Sequence, residues 1–445
     1  MVRQNIRKIG CVLIGCLLAL AACSNAASGG QGGSGGESGA NGLTVGEVPA
    51  ENTTITVWSF LPGNYADGKQ AYQKVVTGFQ KKYPQVKVDL VDMPYPSYFD
   101  QVRNATVAQK GPDVITMYGG AQAYSYRNGL YPLQQAMTPE LEKNLRFLPD
   151  NYSKDGNLYI LPTGTYGYAL MVNQSLFKKA GIDPKQGLAD WPALLETCRG
   201  LSAKGIQPIA AGWKDGYLFE TFMYMISSQM MDEATLEKWV AGQIPIDDPL
   251  FTQATDRILE MNQANCFGDS KNTVGLNMYD DVFDAYFSGK AAMMANGSLD
   301  RAENSYKSVP SSAVMPLPQV PESKFAGTSF IDAGAEGGWS VTKWTKSPQA
   351  SLAFVHYLAG ADSQQSLWET INVPPNLKDV KVQGTTPMQK EFLPLMENPD
   401  NHTGFAAFPL TVLAVFERNA SSLISGSMDA ETFLKQAQSA YAKSK

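Results

Sequence analysis

Histidine is nearly missing from this chain of 445 residues: there are two, His356 and His402, far apart in sequence. Neither lies near cysteines or an acid cluster at ligand spacing, so no metal centre is expected. Cysteine is scarce as well, five in all, and Cys11 and Cys16 fall in an N-terminal stretch that reads as removable. The glycine pattern of a phosphate loop and the G-x-S-x-G of a nucleophile elbow do not occur. Ser175 to Lys178 and Ser340 to Lys343 match S-x-x-K, but without the companion S-D-N or K-T-G, so chance accounts for both. The acid pairs Asp247-Asp248 and Asp280-Asp281 could serve glycoside hydrolysis; adjacent acids in loops are more often caps or solvated surface. Past the N-terminus no apolar run approaches the roughly 20 residues of a spanning helix. Charge is sparse and scattered, 36 basic against 42 acidic residues for a net of -6, which argues against a nucleic-acid partner. These absences point away from an enzyme, and no cofactor is expected.

The N-terminus holds most of what is unusual. Arg3, Arg7 and Lys8 precede an uncharged, mostly apolar stretch from Ile9 to Ala22, the layout of a secretory signal. Leu20-Ala21-Ala22-Cys23 resembles the lipobox of bacterial lipoproteins. That resemblance implies a diacylglycerol on the Cys23 sulfur, a new N-terminus there, and residence on the extracellular face of the bacterial cell membrane. Two acyl chains or more anchor durably where one is marginal. Loss of the signal removes three positive charges, taking the net from -6 to -9. Ser24 to about Ala50 is Gly/Ser-rich and reads as a flexible tether, about 27 residues with a root-mean-square reach of roughly 30 Å.

From Glu51 to Lys445 the chain exceeds one comfortable core, so two lobes are expected. "TITVWSF", "VKVDLVDM" and "DVITMY" alternate as strands. Between them, "KQAYQKVVTGFQKKYP" places Ala71, Val75 and Phe79 on one helical face, and "SYFDQVRNATVAQK" is helical. Strand, helix, strand, helix, strand with short links means a parallel sheet with crossover helices. "LYILPTGTYGYALMVNQ" reads as one long strand-like run. "DWPALLETCRGLSAKG" is a helix with Asp190 placed to cap it. Helices are also expected over "SLFKKAGI", "SPQASLAFVHYLAG" and Thr411 to Ala442. Cys198 and Cys266 either bridge, closing a loop worth roughly 4 kcal/mol by chain entropy, or remain two buried thiols.

Aromatic residues gather at strand ends beside turn-forming glycines. Trp58, next to Ser59, ends the first strand ahead of Asn64 and Tyr65. Tyr118 ends the third, before Gly119-Gly120. Tyr166 lies between Gly164 and Gly167. Trp213 precedes Asp215, and Trp339 follows Gly337-Gly338. In open parallel sheets ligands sit outside the carboxyl ends of the strands. Flat rings there pack against the C–H faces of sugars, while amides and carboxylates meet the hydroxyls.

The ordered set of segments resembles the family 1 extracellular solute-binding proteins of ABC importers, which include maltodextrin-binding members. The matching pieces are the lipobox and tether, "TITVWSF", "FQKKYPQVKVDL", "GPDVITM", "NGLYPL", "DGNLYILPTGTYGYALMVNQSLFKKAGID", "DWPALLETCRGLSAKGIQPIAAG", "FSGKAAMMANGS", "VMPLP", "GGWSV" and "ASLAFVHYLAG". The resemblance implies an α/β fold of two lobes joined by three hinge crossings, near Thr163 to Tyr168, Gly337 to Val341 and Val382 to Pro387. Lobe I is then about 51–164 plus 341–385, and lobe II is 165–340 plus 386–445. Tyr166 takes the position of a cleft-facing hinge residue. "VNQ" replaces the family's usual Tyr-Asn-Lys, leaving Asn173 matched. "NGS" followed by Leu299 lacks the frequent aromatic, which weakens any transfer of maltodextrin as ligand. The expected function is capture of a carbohydrate, an oligosaccharide, by a monomeric receptor that closes around it and presents it to membrane permease subunits and their ATPase. The expected ligand-binding residues are Trp58, Ser59, Asn64, Tyr65, Tyr118, Tyr166, Trp213, Asp215, Asn296, Glu336 and Trp339. The alternatives are the same importer class with a glycerol phosphate ester, peptide or polyamine, a secreted glycosidase, or a surface adhesin or sensor.

Overall fold

The computed structural model describes residues 43–147, 155–296, 307–335 and 337–444. Cys23, the signal and the tether up to residue 42 lie outside the described residues, as does Glu336. Two five-strand groupings organise the chain. The first sheet runs β2-β1-β3-β10-β4, with β1 Thr53–Ser59, β2 Val86–Asp92, β3 Val114–Met117, β4 Leu161–Pro162 and β10 Gly338–Val341. The second runs β6-β7-β5-β8, with β9 paired to β5. Its members are β5 Thr165–Asn173, β6 Gln207–Ile209, β7 Ala291–Asn296, β8 Ser312–Met315 and β9 Asp332–Ala335.

The expected parallel order holds for β1 with its neighbours β2 and β3. β10 enters antiparallel between β3 and β4, so the sheet is mixed. The reason is the crossing: β10 returns from the other lobe instead of following a helix in sequence. The run around Pro162 is two strands in different sheets, β4 in the first and β5 in the second. Apolar patterning cannot see this break, because both pieces are buried. The first crossing thus falls between Pro162 and Thr165. The second falls between Ala335 and Gly338, just ahead of the expected boundary at 341, because β10 already belongs to the first sheet. The third lies after Val380, which packs in the first core, and before Met388, which packs in the second. The Thr165 N–H donates to the Pro374 carbonyl at 2.9 Å, and the Arg146 N–H to the Asn376 carbonyl at 2.7 Å.

Helices form where local signals coincide with an apolar stripe. Gly68–Lys82 buries Ala71, Tyr72, Val75, Val76 and Phe79 against the first sheet. Trp191–Ala203 starts with Pro192 in its first turn and Asp190 accepting from the Ala193 N–H at 2.8 Å. The C-terminal region is two helices, Leu410–Ile424 and Ala430–Ser444. Asp248 caps Pro249–Gln263, and Asp281 accepts from the Asn277 N–H, so one member of each acid pair is taken up in capping backbone N–H groups. Cys198 and Cys266 are disulfide-bonded across a sequence separation of 68, which settles the open alternative in favour of the bridge. Asn173 accepts from the Ser175 and Leu176 N–H groups and caps Gln174–Ala180. His356 is half-buried with Nε2 2.6 Å from the Ala136 carbonyl. Both are structural roles.

The tether ends earlier than its composition indicates. The Leu43 N–H donates to the Pro132 carbonyl at 3.2 Å. Leu43 and Val48 pack against the first core, and Gln85 donates to the Pro49 carbonyl at 3.3 Å. Two large apolar side chains are enough to hold residues 43–49 along the first lobe. Among the described residues no helix is long and apolar enough to cross a membrane.

Candidate functional site

β1 and β3 run parallel and end together, so the segments after them leave the same edge of the first sheet. Phe60 follows β1 and Tyr118 follows β3. Their rings lie 5.8 Å apart, and Tyr118 stacks on Phe99 at 5.7 Å and 28°. Trp58 is half-buried against this cluster. Across the hinge, Phe405 presents its edge to Tyr118 at 5.7 Å and 84°. Phe405 also meets Tyr224 at 5.0 Å and Tyr166 at 6.3 Å, and Tyr166 meets Tyr168 at 5.4 Å. Rings from both lobes therefore pack against one another where the lobes meet. Edge-to-face pairs of this kind are worth roughly 0.5–1.5 kcal/mol each beyond burial.

The loop carrying Phe405 is held by hydrogen bonds. Tyr166 on β5 donates its hydroxyl to Thr403 Oγ1 at 2.9 Å, and that oxygen also accepts from the Phe405 N–H at 3.1 Å. The Trp239 indole donates to the Gly404 carbonyl at 3.0 Å. Ser228 accepts from the Gly404 N–H at 3.2 Å and donates to Asp332. Asp332, 1% exposed on β9, has its pKa pushed up to about 7 by burial, with the Ser228 and Thr403 hydroxyls pulling the other way.

A cavity of about 290 Å3 has walls from both lobes, and none of the rings that meet across the lobes lines it. Gly120, Tyr124 and Ser125 line it from the first lobe, and Val240, Pro409 and Tyr441 from the second. Small-molecule cavities usually span roughly 300–1,000 Å3, so this one is at the small end. A larger hollow of about 370 Å3 sits within the first lobe near Tyr83 and His356, roofed by Val45 and Gly46, and has no wall from the second lobe.

The expected site residues divide. Trp58, Tyr118 and Tyr166 stand at or beside the junction of the lobes, half-buried. Asn64 is exposed at the end of the short helix Leu61–Asn64, and Tyr65 packs against the first core. The placement of Trp213 and Trp339 differs from expectation. Trp213 is 0% exposed in the second core with Phe267 edge-on at 4.9 Å, and Trp339 is 1% exposed in the first with Tyr72 at 6.0 Å. Their rings are used for packing, and alternation along a strand turned Trp339 to the core face. Ser59 is likewise buried, its hydroxyl accepting from Thr116 at 2.7 Å. Asp215 is half-buried and accepts from the Met278 N–H at 2.8 Å and the Tyr217 N–H at 3.3 Å, so it holds two backbone segments together. Asn296 lies at the end of β7, its backbone opposite Ala169.

Tyr168, Tyr217, Glu220, Tyr224 and Phe405, which contact one another around this junction, are not among the residues expected from sequence. The signal was present in the helix Tyr217–Ser227, "YLFETFMYMIS", where a single acid interrupts an apolar run. Glu220 is 5% exposed. Tyr224 donates to its Oε2 at 3.1 Å, and Oε1 has no partner among the described residues. Burial first, then the charges of Glu417 and Asp215, raise its pKa well above the ordinary carboxyl range, against the Tyr224 hydrogen bond. The Tyr217 and Tyr168 hydroxyls lie 3.2 Å apart.

Two sheet-based lobes with the chain crossing between them define a two-lobe α/β fold. Residues 63–365 match the family model described as bacterial extracellular solute-binding protein, and the chain belongs to that family. The melibiose/raffinose/stachyose-binding protein MelE of Bacillus subtilis is 21% identical over 336 residues, 74% of this chain and 75% of that protein. The sn-glycerol-3-phosphate-binding periplasmic protein UgpB of Brucella abortus is 22% identical over 274 residues, 58% of this chain and 60% of that protein. Among solved structures, a chitin oligosaccharide binding protein superposes with a TM-score of 0.73 at 20% identity, covering 88% of this chain and 99% of that one. The protein is thus an extracellular solute-binding protein of the ABC-importer type.

Proposed function

We propose that this protein is the lipid-anchored, monomeric receptor of a bacterial ABC importer, taking an uncharged or weakly charged oligosaccharide between its lobes and delivering it to permease subunits and their ATPase. The observation that carries the reading is the meeting of rings from both lobes, Tyr118 from one with Phe405 and Tyr166 from the other. Ring faces suit the C–H faces of a pyranose, and hydroxyls of the surrounding tyrosines suit its polar rim. Trp58, Tyr118 and Tyr166 supply ring faces; Asn64, Asn296 and Glu336 are hydroxyl partners on the sequence reading. A ligand that touches both lobes stabilises the closed form by the contacts it makes only there. No bond is made or broken in that cycle. The acyl group on Cys23 keeps the receptor near its permease.

Thermal-shift screening against mono- and oligosaccharides, with sn-glycerol 3-phosphate, a tripeptide and spermidine in the same panel, tests this. A stabilising saccharide is expected, and Tyr118→Ala should weaken it severalfold. Stabilisation by one of the non-sugar solutes alone would move the protein to the rival ligand class, and release of reducing sugar on incubation would make it a glycosidase.

A further inference from the structure

We propose that the ligand is a glycoside ending in an aromatic group, and that the cavity walled by both lobes is the subsite for that group. The proposal rests on the carbohydrate reading and names the part of the ligand that sugar chemistry leaves out.

The cavity continues from the ring junction on both sides of the chain crossing. Gly120 in its wall comes two residues after Tyr118, and Ala407 two residues after Phe405. Its lining is unlike a sugar site. Among the described residues that form it there is no Asp, Glu, Asn, Gln, Lys, Arg or His. The polar side-chain atoms are the hydroxyls of Ser125, Ser444, Tyr124 and Tyr441 and the indole nitrogen of Trp239. That nitrogen already donates to the Gly404 carbonyl at 3.0 Å. Burial pushes the Tyr441 phenol up to about 12, as apolar surroundings do. A pyranose carries several hydroxyls, and each one that loses water without gaining a partner costs free energy. This space therefore suits a body with few polar atoms.

Its rings narrow the choice. Tyr124 comes from the first lobe, Trp239 and Tyr441 from the second. The Arg127 guanidinium lies over the Tyr124 ring at 3.8 Å. Trp239 stacks on Tyr441 at 5.6 Å and 26°, and meets Phe251 and Phe408 in T-shaped pairs at 4.7 and 4.9 Å. Rings held in place by such packing favour a flat aromatic occupant. An alkyl chain would give up more rotational freedom to lie among them. An apolar cavity of about 150 Å3 is enough for benzene, so about 290 Å3 holds one ring with its linking atoms. Well-packed interiors leave few voids larger than a water molecule, which sets this space apart from a packing defect. A group filling it touches both lobes at once and stabilises their present arrangement.

Isothermal titration of the purified protein tests this with methyl, hexyl and phenyl glycosides, in both anomers, of glucose, galactose, xylose and their disaccharides. The phenyl glycoside is expected to bind roughly 10- to 100-fold more tightly than its methyl counterpart, the range for burying one apolar ring. Its heat-capacity change should be the more negative of the two. Ala241→Trp sets a large ring into the cavity from an exposed position, and the phenyl-to-methyl ratio should fall toward one. If that variant does not fold, Ala121→Trp reads the same ratio from the first lobe. A ratio near one in the wild type, a ratio unchanged in the filled variant, or hexyl glycosides binding as tightly as phenyl ones overturns the proposal and leaves the carbohydrate reading standing. No binding by any glycoside or by any free saccharide overturns both.

Discussion

Asp332 makes the stability of this protein depend on pH in a direction opposite to the usual one. Its carboxyl is 1% exposed and its pKa stands at about 7 against an ordinary 3.8, with burial the main cause. In the unfolded chain the group is ionised above pH 4, while in the folded protein it keeps its proton until pH approaches 7. The folded state therefore binds more protons through that window, and stability falls as pH rises from about 4 to about 7, then levels. At roughly 1.4 kcal/mol per pKa unit, the full effect is about 4 kcal/mol. With an unfolding entropy of about 2.1 cal/mol/K per residue, a body of about 400 residues would melt about 5 °C lower above the window than below it on this account alone. Asp332→Asn replaces the acid with a neutral group of the same shape that still accepts from Ser228. Calorimetric melting of both proteins from pH 4 to pH 9 isolates the contribution as the difference between the two curves. The variant should gain on the wild type steadily up to about pH 7 and hold that gain above it. A pH-independent difference between them would refute the reasoning and place the carboxylate in its charged form in the folded protein.

Removing the bridge with Cys198→Ser and Cys266→Ser together should destabilise the second lobe by about 4 kcal/mol on loop-closure grounds; a reductant should lower the wild-type melting temperature and leave the double variant unchanged. Trp213→Ala and Trp339→Ala should each cost roughly 3–5 kcal/mol of stability as buried large-to-small changes, read by denaturant unfolding. Gly216→Ala should lower the melting temperature by several degrees, because its φ of +67 and the Glu417 backbone leave no room for a methyl group; an unchanged melt would mean that the helices Tyr217–Ser227 and Leu410–Ile424 separate there.

Much of the architecture was legible before any coordinates. β1, β2 and β3 and the helices between them follow from period-2 and period-3.6 patterning, and Asp190 and Pro192 mark a helix start by chemistry that acts within one turn. Tyr118 and Tyr166 stand out in the sequence because a ring beside a turn-forming glycine at a strand end is a local pattern. Other features required partners distant in sequence. Trp339 follows two glycines just as Tyr118 precedes two, yet its position in β10 turns it to the core while Tyr118 meets Phe405 of the other lobe. "LYILPTGTYGYALMVNQ" looks like one element because both of its strands are buried, and only the sheets on either side reveal the crossing. Phe405 carries no local signal of its place where the lobes meet.

Periodicity and caps are short-range, so the order of residues alone decided the strands and helices of the two lobes. Which rings meet across the lobes, which tryptophans are packing, and that Cys198 meets Cys266 were decided only by tertiary structure. Each depends on burial and on close contact, and neither exists for a residue until the chain has brought its distant neighbours beside it.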